Sequence, residues 1–240
     1  MKIRSTPRAF DVVNNLGYKN LVVGGCSFTY NISDTDSSSW PYYTRDKCGF
    51  DQVYDCSVEA AGNYQILTSV MYTLEEQDLD PLNTMIIVMW SGYNRDSKIV
   101  SDYVKSNSGP IYNYTDQVFS VATTGQNHQK NQQSQALENY IYVTALYNYL
   151  KNQRYQFVFL DFVDPKIPNR GNTFDITEFL PKKLKKKFSK MFSNIENFYT
   201  YCVKHDLLQQ DDFHPTMQGH LEWTHNVLVP ALPANPKVTS

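Results

Sequence analysis

Leu21-Val22-Val23-Gly24-Gly25-Cys26-Ser27-Phe28-Thr29 decides how this chain is read. A short apolar run ends in two glycines, and a serine follows almost at once. Residues 20–25 predict a first strand, and Ser27 falls in the turn that leaves it. A serine at the end of a buried strand, with small residues before it, is well placed to be a nucleophile. The same serine could simply cap a following helix. The rest of the chain has to decide between the two.

Two distant pieces bear on that choice. Gly92-Tyr93-Asn94 follows the apolar run Met85-Ile86-Ile87-Val88-Met89-Trp90, and Asp211-Asp212-Phe213-His214-Pro215 stands near the end. A serine hydroxyl has too high a pKa to attack alone and needs a base within reach. His214 can take the proton and later give it to a leaving alcohol. A carboxylate three residues earlier can hold the other ring nitrogen, a spacing that favours Asp211 as the orienter over its neighbour Asp212. The Asn94 amide can donate to an oxyanion. Taken singly, Asn94 also suits a loop residue in the left-handed region, and His214 a helix cap. His128, His205, His220 and His225 lack such partners and read as surface or packing residues.

The hydrophobic pattern gives the fold class. Strands are expected at 20–25, 51–57, 84–90 and 155–163, the last stopped by Asp164-Pro165. Helical spacing appears in Ile66, Leu67, Val70, Met71 and Leu74, then in Leu137, Tyr140, Ile141, Leu146 and Leu150. A third helix is expected to carry Leu184, Phe188, Met191, Phe192, Ile195, Phe198 and Tyr199 on one broad face. A last one, after Pro215, buries some of Leu221, Trp223, Val227 and Leu228. Strand and helix in alternation predict an α/β fold with a mostly parallel sheet covered on both faces. Ligands of such sheets bind at the carboxyl ends of the strands, where Ser27 and Asn94 both fall. The whole of 1–240 reads as one domain, with a polar insertion at about 96–133.

With these blocks in order, the chain resembles the SGNH hydrolases, the GDSL-type esterases and lipases. The family's first block is similar to Gly25-Cys26-Ser27-Phe28-Thr29, its second to Ala60-Ala61-Gly62-Asn63, its third to Gly92-Tyr93-Asn94-Arg95 and its last to Asp211 through His214. The resemblance implies a three-layer, flavodoxin-like α/β/α sandwich. It implies Ser27 as nucleophile, His214 as base and Asp211 as its orienter. The Ser27 N–H, the Gly62 N–H and the Asn94 amide would hold the oxyanion, although Gly62 could merely relieve a turn. Neither metal nor organic cofactor is implied. The implied reaction is hydrolysis of carboxylic esters through an acyl-enzyme, on a small-molecule or glycan ester that includes O-acetyl groups on carbohydrate. Cys26 and Arg95 stand where the family usually carries acidic residues. The Gly-Cys-Ser-Phe-Thr form resembles a variant of uncharacterised and phage-encoded members. These departures, with the polar insertion, motivate an alternative: a catalytically silent binding or structural module, such as a component of a phage particle.

Composition sets outer bounds. The 240 residues carry a net charge of −2 and a pI of about 6.2, so no global basic field points to nucleic acid. The longest apolar runs are too short to span a bilayer. The first residues, Met1 to Arg8, lack the apolar stretch of a secretory signal, so synthesis in a cytosol is expected and the final location is left open. Cys26, Cys48, Cys56 and Cys202 match neither a zinc nor a disulfide pattern and read as small buried thiols. Asp34-Thr35-Asp36 lacks the glycine and glutamate of a calcium loop. Lys182-Lys183-Leu184-Lys185-Lys186-Lys187 reads as the solvated face of a helix. Trp40 and Tyr93 are candidates to line a substrate cleft, with core packing an equal account of Trp40. The insertion at 96–133 reads as a lid, as a contact surface for a partner, a second copy or a particle, or equally as a merely floppy loop.

Overall fold

Thr84–Trp90 is buried at all seven positions, as a strand must be when it has neighbours on both sides and helices on both faces. In the computed structural model, the described residues are 2–4, 14–29, 39–59, 61–92, 96–100, 111–114, 117–122, 132–161, 176–210 and 214–236. The elements run β1 (Lys2–Arg4), β2 (Asn20–Gly24), α1 (Trp40–Cys48), β3 (Gln52–Asp55), α2 (Asn63–Glu76) and β4 (Thr84–Trp90). Next come β5 (Asp96–Val100), β6 (Ile111–Tyr114), β7 (Gln117–Ala122), α3 (Gln132–Asn152) and β8 (Gln156–Asp161). The chain continues with α4 (Ile176–Phe179), α5 (Lys182–Ser189), α6 (Phe198–Lys204) and α7 (Met217–Trp223). A π-helical turn (Thr224–Leu228) and α8 (Val229–Ala231) complete it.

The main sheet has the order β1-β3-β2-β4-β8. Strands β3, β2, β4 and β8 are parallel, with Gly24 opposite Val88 and Met89 opposite Leu160. Only β1, at the edge, runs antiparallel. The connection from β2 goes one way, to β3, while those from β3 and β4 go the other way. Right-handed crossovers then put α1 on one face and α2 with α3 on the opposite one. The packing agrees: α2 lies against α3, and α1 lies against α7, the π turn and α8. The result is a three-layer α/β/α arrangement.

Two glycines let the layers close. A Cβ at Gly24 would stand 2.6 Å from Val70 Cγ2 and 3.3 Å from Ile66 Cγ2, so β2 and α2 approach closer than any side chain allows. A Cβ at Gly25 would fall 2.0 Å from Thr29 Oγ1, inside the turn closed by Thr29 N–H donating to Cys26 O at 2.8 Å. All four cysteines are buried thiols outside any disulfide, and burial pushes the Cys48 and Cys202 thiols up to about 12. No helix among the described residues is long and apolar enough to cross a membrane.

The structure adds β1 and α1, which the hydrophobic pattern did not signal, and departs from the expected elements in three further places. The expected third helix is two helices, α5 and α6, with 190–197 between them. Ser193 donates from both its N–H and its hydroxyl to Phe159 O at 3.0 Å. Asn197 caps α6 and donates to Asp161 O at 2.6 Å. Those bonds clip the segment to β8 and interrupt the helix. In α3, Leu137 and Ile141 are exposed, and the buried positions are Ala136, Asn139, Val143, Leu146 and Leu150. The insertion contains three strands, which form an antiparallel sheet of order β5-β7-β6, with β5 running beside α2.

Candidate active site

Strands β2 and β4 are neighbours whose outgoing connections run in opposite directions, so the crevice of this sheet opens between their carboxyl ends. Ser27 lies in the turn after β2, and Ser91 and Gly92 follow β4. The close approach at Gly25 folds this turn tightly, and Ser27 is left only 7% exposed.

His214 reaches Ser27 from the far end of the chain. Residues 207–209 and 214–216 pair with each other. Gln209 N–H donates to His214 O at 2.8 Å, Thr216 N–H donates to Leu207 O at 2.8 Å, and Leu208 bridges Pro215. Thr216 then caps α7 by accepting from Gly219 N–H at 3.1 Å. Held on both sides, the half-buried His214 puts Nε2 2.9 Å from Ser27 Oγ. Its ring lies against Phe28, centroids 5.1 Å apart, and Phe28 is itself wedged by Phe198 and Tyr199 of α6. An imidazole nitrogen at that distance is within range to accept the serine proton. Asp211 and Asp212 lie outside the described residues.

Gly62 is the N-cap residue of α2, with extended backbone, φ −88° and ψ 167°. The loop that carries it is tied to the nucleophile turn, because Val58 N–H donates to Gly25 O at 3.2 Å and Cys56 N–H to Val23 O at 2.8 Å. Asp55, the last residue of β3, braces the same loop. It accepts from Ser57 N–H at 3.0 Å, from the Ser57 hydroxyl, and from Tyr42 OH at 3.4 Å. Tyr93, Asn94 and Arg95 lie outside the described residues. Ser91, at the end of β4 before them, is held. Asn63, 1% exposed, accepts from Ser91 N–H at 2.8 Å and donates to Ser91 O at 3.1 Å. Its Nδ2 also donates to Asn139 Oδ1 at 2.7 Å, and Asn139 donates to Gln135 O at 2.8 Å.

Trp40 does not line a cleft. It is fully buried, edge-on to Trp223 at 6.1 Å, and its ring has no surface to offer a ligand. Its backbone N–H donates to His220 Nδ1 at 3.3 Å. His220 is buried against Phe198, and its pKa is lowered to about 3, first by burial and then by the nearby His214. His220 is therefore a neutral packing residue whose hydrogen bond ties α1 to α7. Sequence reasoning missed the Asn63–Ser91–Asn139 network and the Asp55 brace, because their partners lie far away in the chain. The one local hint was an asparagine directly after the α2 cap glycine.

No protein-family model matches the chain, and no curated protein matches it. Solved structures do. A protein assigned to the G-D-S-L family of lipolytic proteins from Desulfitobacterium hafniense superposes with a TM-score of 0.53 at 12% identity, covering 86% of this chain and 96% of that one. The psychrotrophic esterase EstA of Pseudoalteromonas sp. gives 0.51 at 10% identity, covering 88% and 96%. The chain has the SGNH hydrolase fold. The acetyl xylan esterase AlAXEase, with a TM-score of 0.50 at 9% identity over 86% of this chain and 96% of that one, has it too. In the SGNH fold of this chain, Ser27 and His214 meet at the switch point of the sheet, and the loops of Gly62 and Gly92 flank it.

Proposed function

We propose that the chain is a serine esterase that cleaves carboxylic esters, with O-acetyl groups on carbohydrate as its natural class. The observation that carries this reading is the 2.9 Å approach of His214 Nε2 to Ser27 Oγ at the carboxyl edge of the sheet. Ser27 Oγ attacks the ester carbonyl carbon while its proton passes to His214 Nε2. The tetrahedral intermediate collapses, the alcohol leaves with that proton, and the acyl group remains on Oγ. A water then gives its proton to Nε2 and attacks the acyl carbon. The acid leaves and the proton returns to Oγ. Asp211 holds the imidazole in the required tautomer. The Ser27 N–H, the Gly62 N–H and the Asn94 amide receive the oxyanion, each donor contributing about 10²–10³ in turnover.

A short acyl group on a sugar is favoured over a long lipid by the tyrosine-, serine- and asparagine-rich insertion that follows Asn94 in the chain and the lack of a long apolar run. Hydrolysis of p-nitrophenyl acetate, butyrate and octanoate tests the reading. Turnover should be highest on acetate and fall by about 10³ or more in both Ser27→Ala and His214→Ala. Equal rates in wild type and Ser27→Ala would overturn it.

A further inference from the structure

Ser27 and Phe28 are the two central residues of one turn, closed where Thr29 N–H donates to Cys26 O at 2.8 Å. Both reach the same histidine. Ser27 Oγ meets the His214 ring at its edge, 2.9 Å from Nε2. Phe28 lies against the same ring, with centroids 5.1 Å apart and planes inclined by 34°. Phe198 and Tyr199 meet Phe28 differently, at 89° and 67°. Those are edge contacts. The contact with His214 is closer to stacking, so Phe28 turns its face toward the imidazole.

Packing holds Phe28 in that pose. It is fully buried. Phe198 and Tyr199 stand on the first turn of α6, which Asn197 caps and ties to β8 by donating to Asp161 O at 2.6 Å. Phe198 is backed in turn by Trp223, centroids 4.7 Å apart. An aliphatic side chain would also fill this space. An aromatic ring adds a negative face, which attracts a cation within about 6 Å of its centroid, most strongly where water is excluded. In the proposed reaction the resting imidazole is neutral. As Ser27 attacks, its Oγ–H bond breaks, an Nε2–H bond forms, and the ring becomes an imidazolium balanced by the oxyanion. The attraction to Phe28 therefore grows on the way to the transition state, which is the condition for it to raise the rate. His220, packed on Phe198, is kept neutral by burial and sets no second cation against His214.

We propose that Phe28 is a positioning residue for this reaction: its ring face holds the His214 imidazolium that forms as Ser27 attacks. The inference rests on the esterase reading above. Its test is graded, on the full chain: Phe28→monofluorophenylalanine, Phe28→difluorophenylalanine and Phe28→trifluorophenylalanine, installed by nonsense suppression. Each fluorine withdraws charge from the ring face and barely changes its size, so a role in packing alone is left untouched. Two rates are read, kcat/KM for p-nitrophenyl acetate and the labelling of Ser27 by a fluorophosphonate. Both should fall stepwise, to about one tenth of wild type with three fluorines, while thermal unfolding stays the same. A flat series overturns the role of Phe28 and leaves the esterase reading standing. A loss already complete with one fluorine, or one that tracks a loss of stability, does the same. If Ser27 is labelled but p-nitrophenyl acetate is not hydrolysed, the esterase reading falls, and the labelling rates still decide the role of Phe28. Neither labelling nor turnover in wild type overturns both.

Discussion

Asn63 and Ser91 are joined twice, side chain to backbone: Ser91 N–H donates to Asn63 Oδ1 at 2.8 Å, and Asn63 Nδ2 donates to Ser91 O at 3.1 Å. This pair binds the start of α2, next to Gly62, to the end of β4, just before Gly92. It therefore ties the residue after Gly62 to the stretch of chain that leads toward Asn94. Asn63→Ala leaves the buried Ser91 N–H and carbonyl unpaired, at a cost of about 2–3 kcal/mol. Thermal unfolding should show that loss. In ester hydrolysis kcat should fall by about tenfold or more with KM nearly unchanged, because donors to the transition state are displaced while substrate contacts remain. A stability loss with unchanged kcat would make Asn63 purely structural.

The contact of β2 with α2 makes a second prediction. Gly24→Ala drives a methyl into Val70 Cγ2 and should destabilise the fold by about 1–3 kcal/mol. Val70→Ala alone opens a cavity and is destabilising as well. The double variant should be more stable than the sum of the two losses, since each change accommodates the other. Additive losses in a denaturant-unfolding cycle would show that the close approach at Gly24 does not constrain the packing.

His220 gives the acid limb of stability a defined sign. Its folded pKa of about 3 lies below the ordinary 6.5. Between those values the unfolded chain takes up a proton that the folded one refuses. Stability is therefore lost as pH falls from about 6.5 toward 3, by up to about 1.4 kcal/mol per pH unit from this group. In His220→Asn the amide oxygen can still accept from Trp40 N–H, and the titration is gone. Wild type should lose stability more steeply than the variant between pH 6.5 and 4 in urea melts. Parallel curves would contradict this account.

Much of this was legible in the chain because it is local. Apolar runs gave β2, β4 and β8 to within a residue or two, and the alternation with helices gave the parallel sheet. The Ser27 turn was readable from two glycines whose lack of a Cβ is now accounted for by Val70 and Thr29. What escaped is long-range or weakly patterned. The Leu137 and Ile141 spacing is helical, but α3 turns its Asn139 inward to meet Asn63, and that partner lies 76 residues away. The α5–α6 break is signalled only by Ser193 and Asn197, small polar residues whose meaning depends on the edge of β8. The strands of the insertion are built from Tyr, Val and Phe among polar residues, a β-forming composition without an aliphatic run. Trp40 read equally well as cleft or core until its contact with Trp223 decided it.

The most direct test of the central claim is the site and fate of a fluorophosphonate adduct, followed by intact mass and peptide mapping. The account predicts a single adduct on Ser27 in wild type, formed far more slowly in His214→Ala and absent from Ser27→Ala. No adduct in wild type, or one that maps elsewhere and persists in Ser27→Ala, would contradict it.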